Sequence, residues 1–194
     1  MATTLNLKDG TEVIIRPMRP DDADRSYAFF QALKPADRAY LRVDVTRRGF
    51  VEKRIRAIET ENVKRLVAVI RDQIVADGAL EILGKGWKDH IAELRLIVSH
   101  QFQNKGLGTL MARELYRLAA HEKIEEVVVK MMRPQEKANF IFKKLGFMEE
   151  SALPDYVRDI SGNKQDLILM RCDLAALWRE IEDRFAESDW GRTR

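Results

Sequence analysis

Two stretches of the sequence carry residue types that could do chemistry. In "QNKGLGTL", Gly106 and Gly108 follow the apolar run "LRLIV" and precede the periodic stretch "LMARELYRLAAHEK". A strand running into Gly-x-Gly and then a helix presents backbone N–H groups at a helix N-terminus, where they lack intrahelical acceptors and the helix dipole adds partial positive charge. Such a place binds phosphate. The two glycines remove side chains that would hold a diphosphate away, and Lys105 adds a cation beside them. The stretch lacks the Gly-Lys-Ser/Thr ending of a P-loop and the third glycine of a dinucleotide fingerprint, which argues against a metal-dependent NTPase. A tight turn without a ligand is the other reading the glycines allow. The second stretch is "HIAELRLIV", where Glu93 shares a strand face with Arg95 and Ile97, opposite Ala92, Leu94, Leu96 and Val98. Glu81, in the preceding "GALEIL", is a second carboxylate on the neighbouring segment.

The elements that must position these groups follow from periodicity and breakers. "TEVIIRPM" alternates as a strand, and Asp21 or Asp22 starts a helix whose apolar side carries Tyr27, Phe30 and Leu33 and which Pro35 ends. Residues 36–61 have helical spacing in parts, with Gly49 as the expected break between one or two short helices. "VKRLVAVI", "IVADGALEIL" and "HIAELRLIV" read as an antiparallel meander. After the glycines, Leu107, Leu110, Met111, Leu115, Leu118 and Ala119 form the buried stripe of an amphipathic helix. "EVVVKMM" is a buried strand, Pro134 marks a helix start, and Gly146 stops that helix. A hairpin turns around residues 161–164, and Leu174, Leu177, Trp178, Ile181 and Phe185 make the stripe of a last helix. The expectation is a single α/β domain over residues 1–172, a mixed, mostly antiparallel sheet with helices on both faces, plus a C-terminal helix and tail over 173–194. That helix can pack on its own domain or in a homodimer; with no linker before it, packing in cis is favoured.

Composition limits the function classes. The 194 residues are 45% hydrophobic and 34% charged, without a stretch long enough to span a bilayer. No secretory signal is visible at the start and the single Cys172 cannot form an internal disulfide, so a cytoplasmic location is expected. A net charge of +3 favours anionic ligands only weakly. Arg38, Arg42, Arg47, Arg48, Lys53, Arg54 and Arg56 form a basic cluster, diluted by Asp37, Asp44 and Glu52; it reads as a solvated helical face rather than a nucleic-acid surface. His90, His100 and His121 show no ligand spacing, so no metal is expected.

The order Gln103-Asn104-Lys105-Gly106-Leu107-Gly108, with Val98 five residues earlier, resembles the acetyl-CoA signature of the GNAT N-acetyltransferases. Residues 7–42 look like the N-terminal strand and helix of the acetyltransferase domain of bacterial protein-lysine acetyltransferases, and "QEKANFIFKKLGFMEE" looks like the family's late helix. The resemblance implies that the diphosphate of acetyl-CoA lies on Asn104, Lys105, Gly106, Leu107, Gly108 and Thr109, next to Gln103. It further implies that the pantetheine arm pairs with Leu96, Ile97 and Val98 where that strand splays from "EVVVKMM". Glu93 matches the glutamate that serves as general base in the protein-lysine group; a solvated carboxylate paired with Arg95 is the alternative, and Glu81 the second candidate. The Val98 N–H would polarise the thioester carbonyl, and the acceptor would be an amine, either a protein lysine or a small molecule.

Two positions depart from the family pattern. Phe142 stands where many members have a Tyr acting as general acid, and Gln135 replaces an Asn that contacts pantetheine, so it is a possible ligand only. Without the acid, a non-catalytic acyl-CoA sensor is a competing reading. Cys172 reads as a core thiol, and Tyr156 and Arg158 read as an exposed strand face rather than an acceptor mouth.

Overall fold

The computed structural model describes residues 2–59, 62–84, 86–174 and 176. Its eight strands form one sheet in the order β1-β2-β3-β4-β5-β6-β8-β7. They are β1 (Thr3–Asn6), β2 (Glu12–Pro17), β3 (Val63–Ile70), β4 (Gln73–Ile82), β5 (Ile91–Val98), β6 (Glu126–Met132), β7 (Met148–Arg158) and β8 (Lys164–Asp173). Among the described residues only β5 and β6 pair in parallel, and every other neighbouring pair is antiparallel. The single α/β domain expected from the sequence is what forms.

Helices α1 (Ala23–Ala32), α2 (Pro35–Arg38) and α3 (Arg48–Arg56) lie on one face, and α4 (Leu107–His121) and α5 (Glu136–Lys144) on the other. Two apolar cores result. One joins Leu80, Ala92 and Leu94 of the sheet to Leu107, Met111 and Leu115 of α4. The other joins Val67, Val69 and Ile74 to Phe29, Phe30, Val51 and Ile55. Helix α4 approaches β4 so closely at Gly78 that a Cβ there would stand 2.8 Å from Leu115 Cδ1, so only glycine fits without repacking.

Several local expectations need correction. No sequence pattern announces strand β1; its four residues are too few for alternation to be read. Gly49 does not break a helix but lies in the first turn of α3, and the gap it was expected to make falls between α2 and α3. Pro134 occupies a turn ahead of α5 instead of starting it. Asp22 holds the N-cap position of α1 without capping it; its fully buried carboxylate grips Arg16 at 2.6 and 2.7 Å and accepts the Arg19 N–H. That bidentate pair fastens α1 to β2.

Leu174 sits in the α4-side core and its N–H donates to the Glu125 carbonyl. The remainder of the expected C-terminal stripe, Leu177, Trp178, Ile181 and Phe185, lies outside the described residues. Among the described residues no helix is long and apolar enough to cross a membrane.

Candidate active site

Strand β5 organises the site because its two edges differ. Along β4 the ladder is continuous from Ala76–Val98 to Ile82–Ala92. Along β6 pairing stops after Glu93–Val128, while β6 itself continues with β8 as far as Met132–Leu167. The two strands therefore splay beyond Glu93. The Ser99 N–H bonds to the Val75 carbonyl, which makes Ala76–Val98 a pair without mutual hydrogen bonds. By alternation, the backbone groups of Leu94, Leu96 and Val98 turn towards the gap, whereas those of Arg95 and Ile97 are spent on β4. Ile97, expected to pair with a ligand, thus contributes to this region through its side chain, which lines the cavity on the α1–α3 side.

At the end of the gap the chain makes the glycine turn. Asn104 and Gly106 have positive φ, 63° and 87°, and Gly106 caps α4. The Leu110 N–H is the first to find a helical acceptor, the Gly106 carbonyl, so the N–H groups before it in the opening turn point out of the helix end. A Cβ on Gly108 would meet only Val98 Cγ2, at 3.8 Å, and so would project into the open space between this helix end and the gap. The β1–β2 hairpin braces the turn: the Lys8 N–H donates to the Lys105 carbonyl, and Lys105 Nζ pairs with Asp9 at 2.9 Å. Hydrogen bonds from Lys105 and Thr11 hold the Asp9 carboxyl at about 2. Lys105 is therefore a partly neutralised cation. Gln103 turns away from the helix end, donating from its amide to the Val98 carbonyl and to Asp37 Oδ1, both at 3.2 Å. It satisfies one of Val98's two backbone groups and leaves the N–H directed into the gap.

On the α1–α3 side the gap opens into a cavity of about 200 Å³, roofed by Phe30, Tyr40, Phe50 and the segment leading from α2 to α3. Glu93 is 2% exposed, and its carboxylate is held by Arg42, by Lys130 Nζ at 3.0 Å and by Arg95 Nε at 3.4 Å. Burial alone would raise its pKa, but the hydrogen bonds from Arg42 and Lys130 and the charges of Arg42 and Arg95 keep it below the ordinary value. Neither a solvated carboxylate nor one raised by burial describes it. Glu81 lies opposite Glu93 in the β4–β5 register and pairs with Arg95 at 2.5 Å. Further in, Arg54 bonds Asp77 Oδ1 at 2.7 Å and stacks on the Phe30 ring at 4.5 Å, while Arg65 reaches the same oxygen at 3.6 Å.

Arg65, Asp77 and Lys130 emerge as site residues only in the fold; the signal for them in the sequence is a charged residue inside each of three apolar strand runs. Arg42 and Arg54 belong to the basic cluster expected to be a solvated helical face. That needs correcting, since Arg54 is mostly buried and both line the cavity; Arg47 and Arg48 are solvated as expected.

A family model for the GNAT acetyltransferase domain matches residues 12–148. The chain belongs to this family. It is an N-acetyltransferase enzyme. No curated protein sequence matches it. Solved GNAT structures share its fold at low identity. An acetyltransferase of the GNAT family from Streptococcus pneumoniae superposes with a TM-score of 0.71 at 20% identity, covering 82% of this chain and 98% of that one. The GNAT domain of S. lividans PAT gives 0.73 at 17% identity, over 89% and 96%. The Salmonella typhimurium protein yncA, solved with its cofactor acetyl-CoA, gives 0.72 at 17% identity, over 84% and 94%.

Within this GNAT enzyme the remaining candidates fall into place. Gln135 lines the cavity, its carbonyl oxygen taken by the Met132 N–H at 2.8 Å, which leaves its NH2 group for a ligand. Phe142 packs edge-on against Phe147 and carries no acid. Cys172 is buried on the α4 side, and burial pushes its thiol up to about 11. Tyr156 is exposed, and Arg158 bonds the Gly162 carbonyl of its own hairpin. Among the described residues no cluster of His, Cys, Asp or Glu could hold a metal.

Proposed function

We propose that this GNAT acetyltransferase takes acetyl from acetyl-CoA and passes it to an amine by direct attack within a ternary complex. The observation that carries the reading is the β5–β6 gap, which meets the glycine-capped helix end at one side and the charged cavity at the other. The residues present fit the donor. The outward N–H groups of residues 104–109, the bare Gly108 and the Lys105 cation suit a diphosphate, and the free backbone edge of Leu96 and Val98 suits the pantetheine arm, with the Gln135 NH2 within the same cavity. Acetyl-CoA supplies the electrophile, a thioester carbonyl.

The chain's own groups do the rest. The Val98 N–H, left free by Gln103, is the donor available to polarise a carbonyl in the gap. An alkyl ammonium has a pKa of about 10.4 and must lose a proton before it attacks. Glu93 stays ionised at neutral pH, so it attracts the ammonium and passes its proton to water rather than storing it. No acid replaces the family's Tyr at Phe142, and a thiol of pKa about 8.5 leaves without one. Cys172, buried away from the cavity, offers no covalent route. The acceptor is either a protein lysine, which the resemblance favours, or a small amine.

A Glu93→Gln variant tests this reading. It should keep acetyl-CoA binding and lose acceptor-dependent thiol release by about two to four powers of ten. The acyl-CoA sensor, favoured by Phe142 and by the weak basicity of Glu93, requires that the wild type already release no thiol in response to any amine.

A further inference from the structure

The floor of the cavity has a feature that acetyl transfer as such does not need. Arg65 on β3, Ala79 on β4 and Arg95 on β5 stand in one row across the sheet, on the face under α1 and α3. Ala79 is the small member, so a hollow lies between two guanidiniums whose strands are about 10 Å apart. Positive charge around this hollow is not fully matched. Arg54 and Arg65 share the single carboxylate Asp77, and Arg42, Arg95 and Lys130 share Glu93 and Glu81. Five cations therefore face three carboxylates. Among the described residues, Arg65 Nε and Asp77 Oδ2 are buried with no hydrogen-bond partner, and Asp77 is only 5% exposed. Both residues line the cavity, so this part of its wall carries charge that the protein's own hydrogen bonds do not fully satisfy.

We propose that the acceptor is an amine bearing an oxyanion, a carboxylate or phosphonate, which lies over Ala79 between Arg65 and Arg95 while the amine points to Glu93 and the gap. This rests on the acetyl-transfer reading above and names its substrate class. The Arg65 and Arg95 guanidiniums, which both line the cavity, donate to the oxyanion. Burial and the neighbouring Arg54 cation bring the Arg65 guanidinium down to about 10 against the opposing pull of Asp77, as expected of a cation that shares its counter-ion with another. The same field repels a polyamine, whose second positive charge would meet the excess of cations around Arg65 and Arg95.

The experiment compares acceptor-dependent thiol release for ω-amino acids from β-alanine to 6-aminohexanoate, their carboxamides, the matching aminoalkylphosphonates, and 1,4-diaminobutane. Acetyl-CoA binding is measured calorimetrically on the same preparations. The expected result is a kcat/KM at least ten-fold higher for an oxyanion-bearing amine than for its carboxamide or the diamine, with carboxylate against phosphonate deciding which oxyanion fits. Arg65→Gln should erase that preference through KM while acetyl-CoA binding is retained; Ala79→Val, which fills the hollow, should do the same if Arg65→Gln fails to fold. An enzyme that binds acetyl-CoA but accepts the carboxamides or the diamine equally well, or turns over no oxyanion-bearing amine, overturns the proposal. Failure to bind acetyl-CoA at all would instead overturn the reading beneath it.

Discussion

The two faces of strand β5 do opposite work from alternate residues of one segment. Ala92 and Leu94 are buried against α4 with Leu96 and Val98 behind them, an apolar contact in which shape decides. Glu93 and Arg95, on the other face, belong to an ion-pair network under the α1–α3 cover, in which charge decides. The first face is closed by apolar packing, with no polar side chain to exchange partners. The second is held by competing partners, and an incoming amine or anion can exchange with any of them. The gap proposed for the donor thus lies beside a packed wall and the cavity proposed for the acceptor beside a polar one.

Substitutions on each face should break this contrast in different ways. Glu93→Gln carries the largest effect, a loss of about two to four powers of ten in kcat with little change in acetyl-CoA affinity, read by steady-state thiol release and calorimetry. Because Glu93 titrates below its ordinary value, the wild-type rate should climb with pH towards the amine's pKa and show no acid limb near pH 6 to 7 from this residue. Asp22→Ala should cost about 3 to 5 kcal/mol in denaturant unfolding by leaving Arg16 buried without its partner, with kcat unchanged once the protein is folded. Burial would raise the Asp22 pKa, but the Arg16 hydrogen bonds and the Arg19 N–H lower it. The Asp22 contribution is therefore complete above about pH 4, the unfolded value, and is lost as pH falls through the lower folded one. A melting temperature that drops below pH 4 less steeply in the variant than in wild type checks this.

On the packed face, Gly78→Val should cost about 1 to 3 kcal/mol by forcing Leu115 and Met111 out of place, again without a change in the pH profile of activity. The smallest effect belongs to Lys105→Ala. With Lys105 already paired to the half-exposed Asp9, acetyl-CoA affinity should fall only a few-fold, about 0 to 1 kcal/mol, because the backbone carries the anion. A hundred-fold loss would mean that the side chain, not the helix end, holds the phosphates.

The packed face was the legible one. The apolar stripe of α4, the meander β3–β5 and the turn at Gly106 all follow from local signals, namely period, breakers and two glycines one residue apart. The polar cavity was legible only in part. Glu93 could be placed on a strand face, but its burial depends on Arg42, 51 positions earlier, and on Lys130, 37 later, and no local pattern brings these together. Arg54 shows the same limit: the basic residues around it, Lys53 and Arg56, are exposed, and only the tertiary approach of α3 to β4 turns it onto Asp77. Gln103 lies in the signature that marks the donor site, yet its side chain braces Val98 and Asp37. A motif reports which backbone turn is present; it does not report where each of its side chains points.

The central claim is that the gap and the glycine-capped helix end together hold acetyl-CoA. Its most direct measurement is a calorimetric titration of the wild-type protein with acetyl-CoA beside Gly106→Glu, with thermal melts to show that both are folded. Saturable binding in the wild type, lost in the folded variant, is the expected result. A folded wild-type protein that takes up no acetyl-CoA would contradict the claim and leave the glycines as a turn alone.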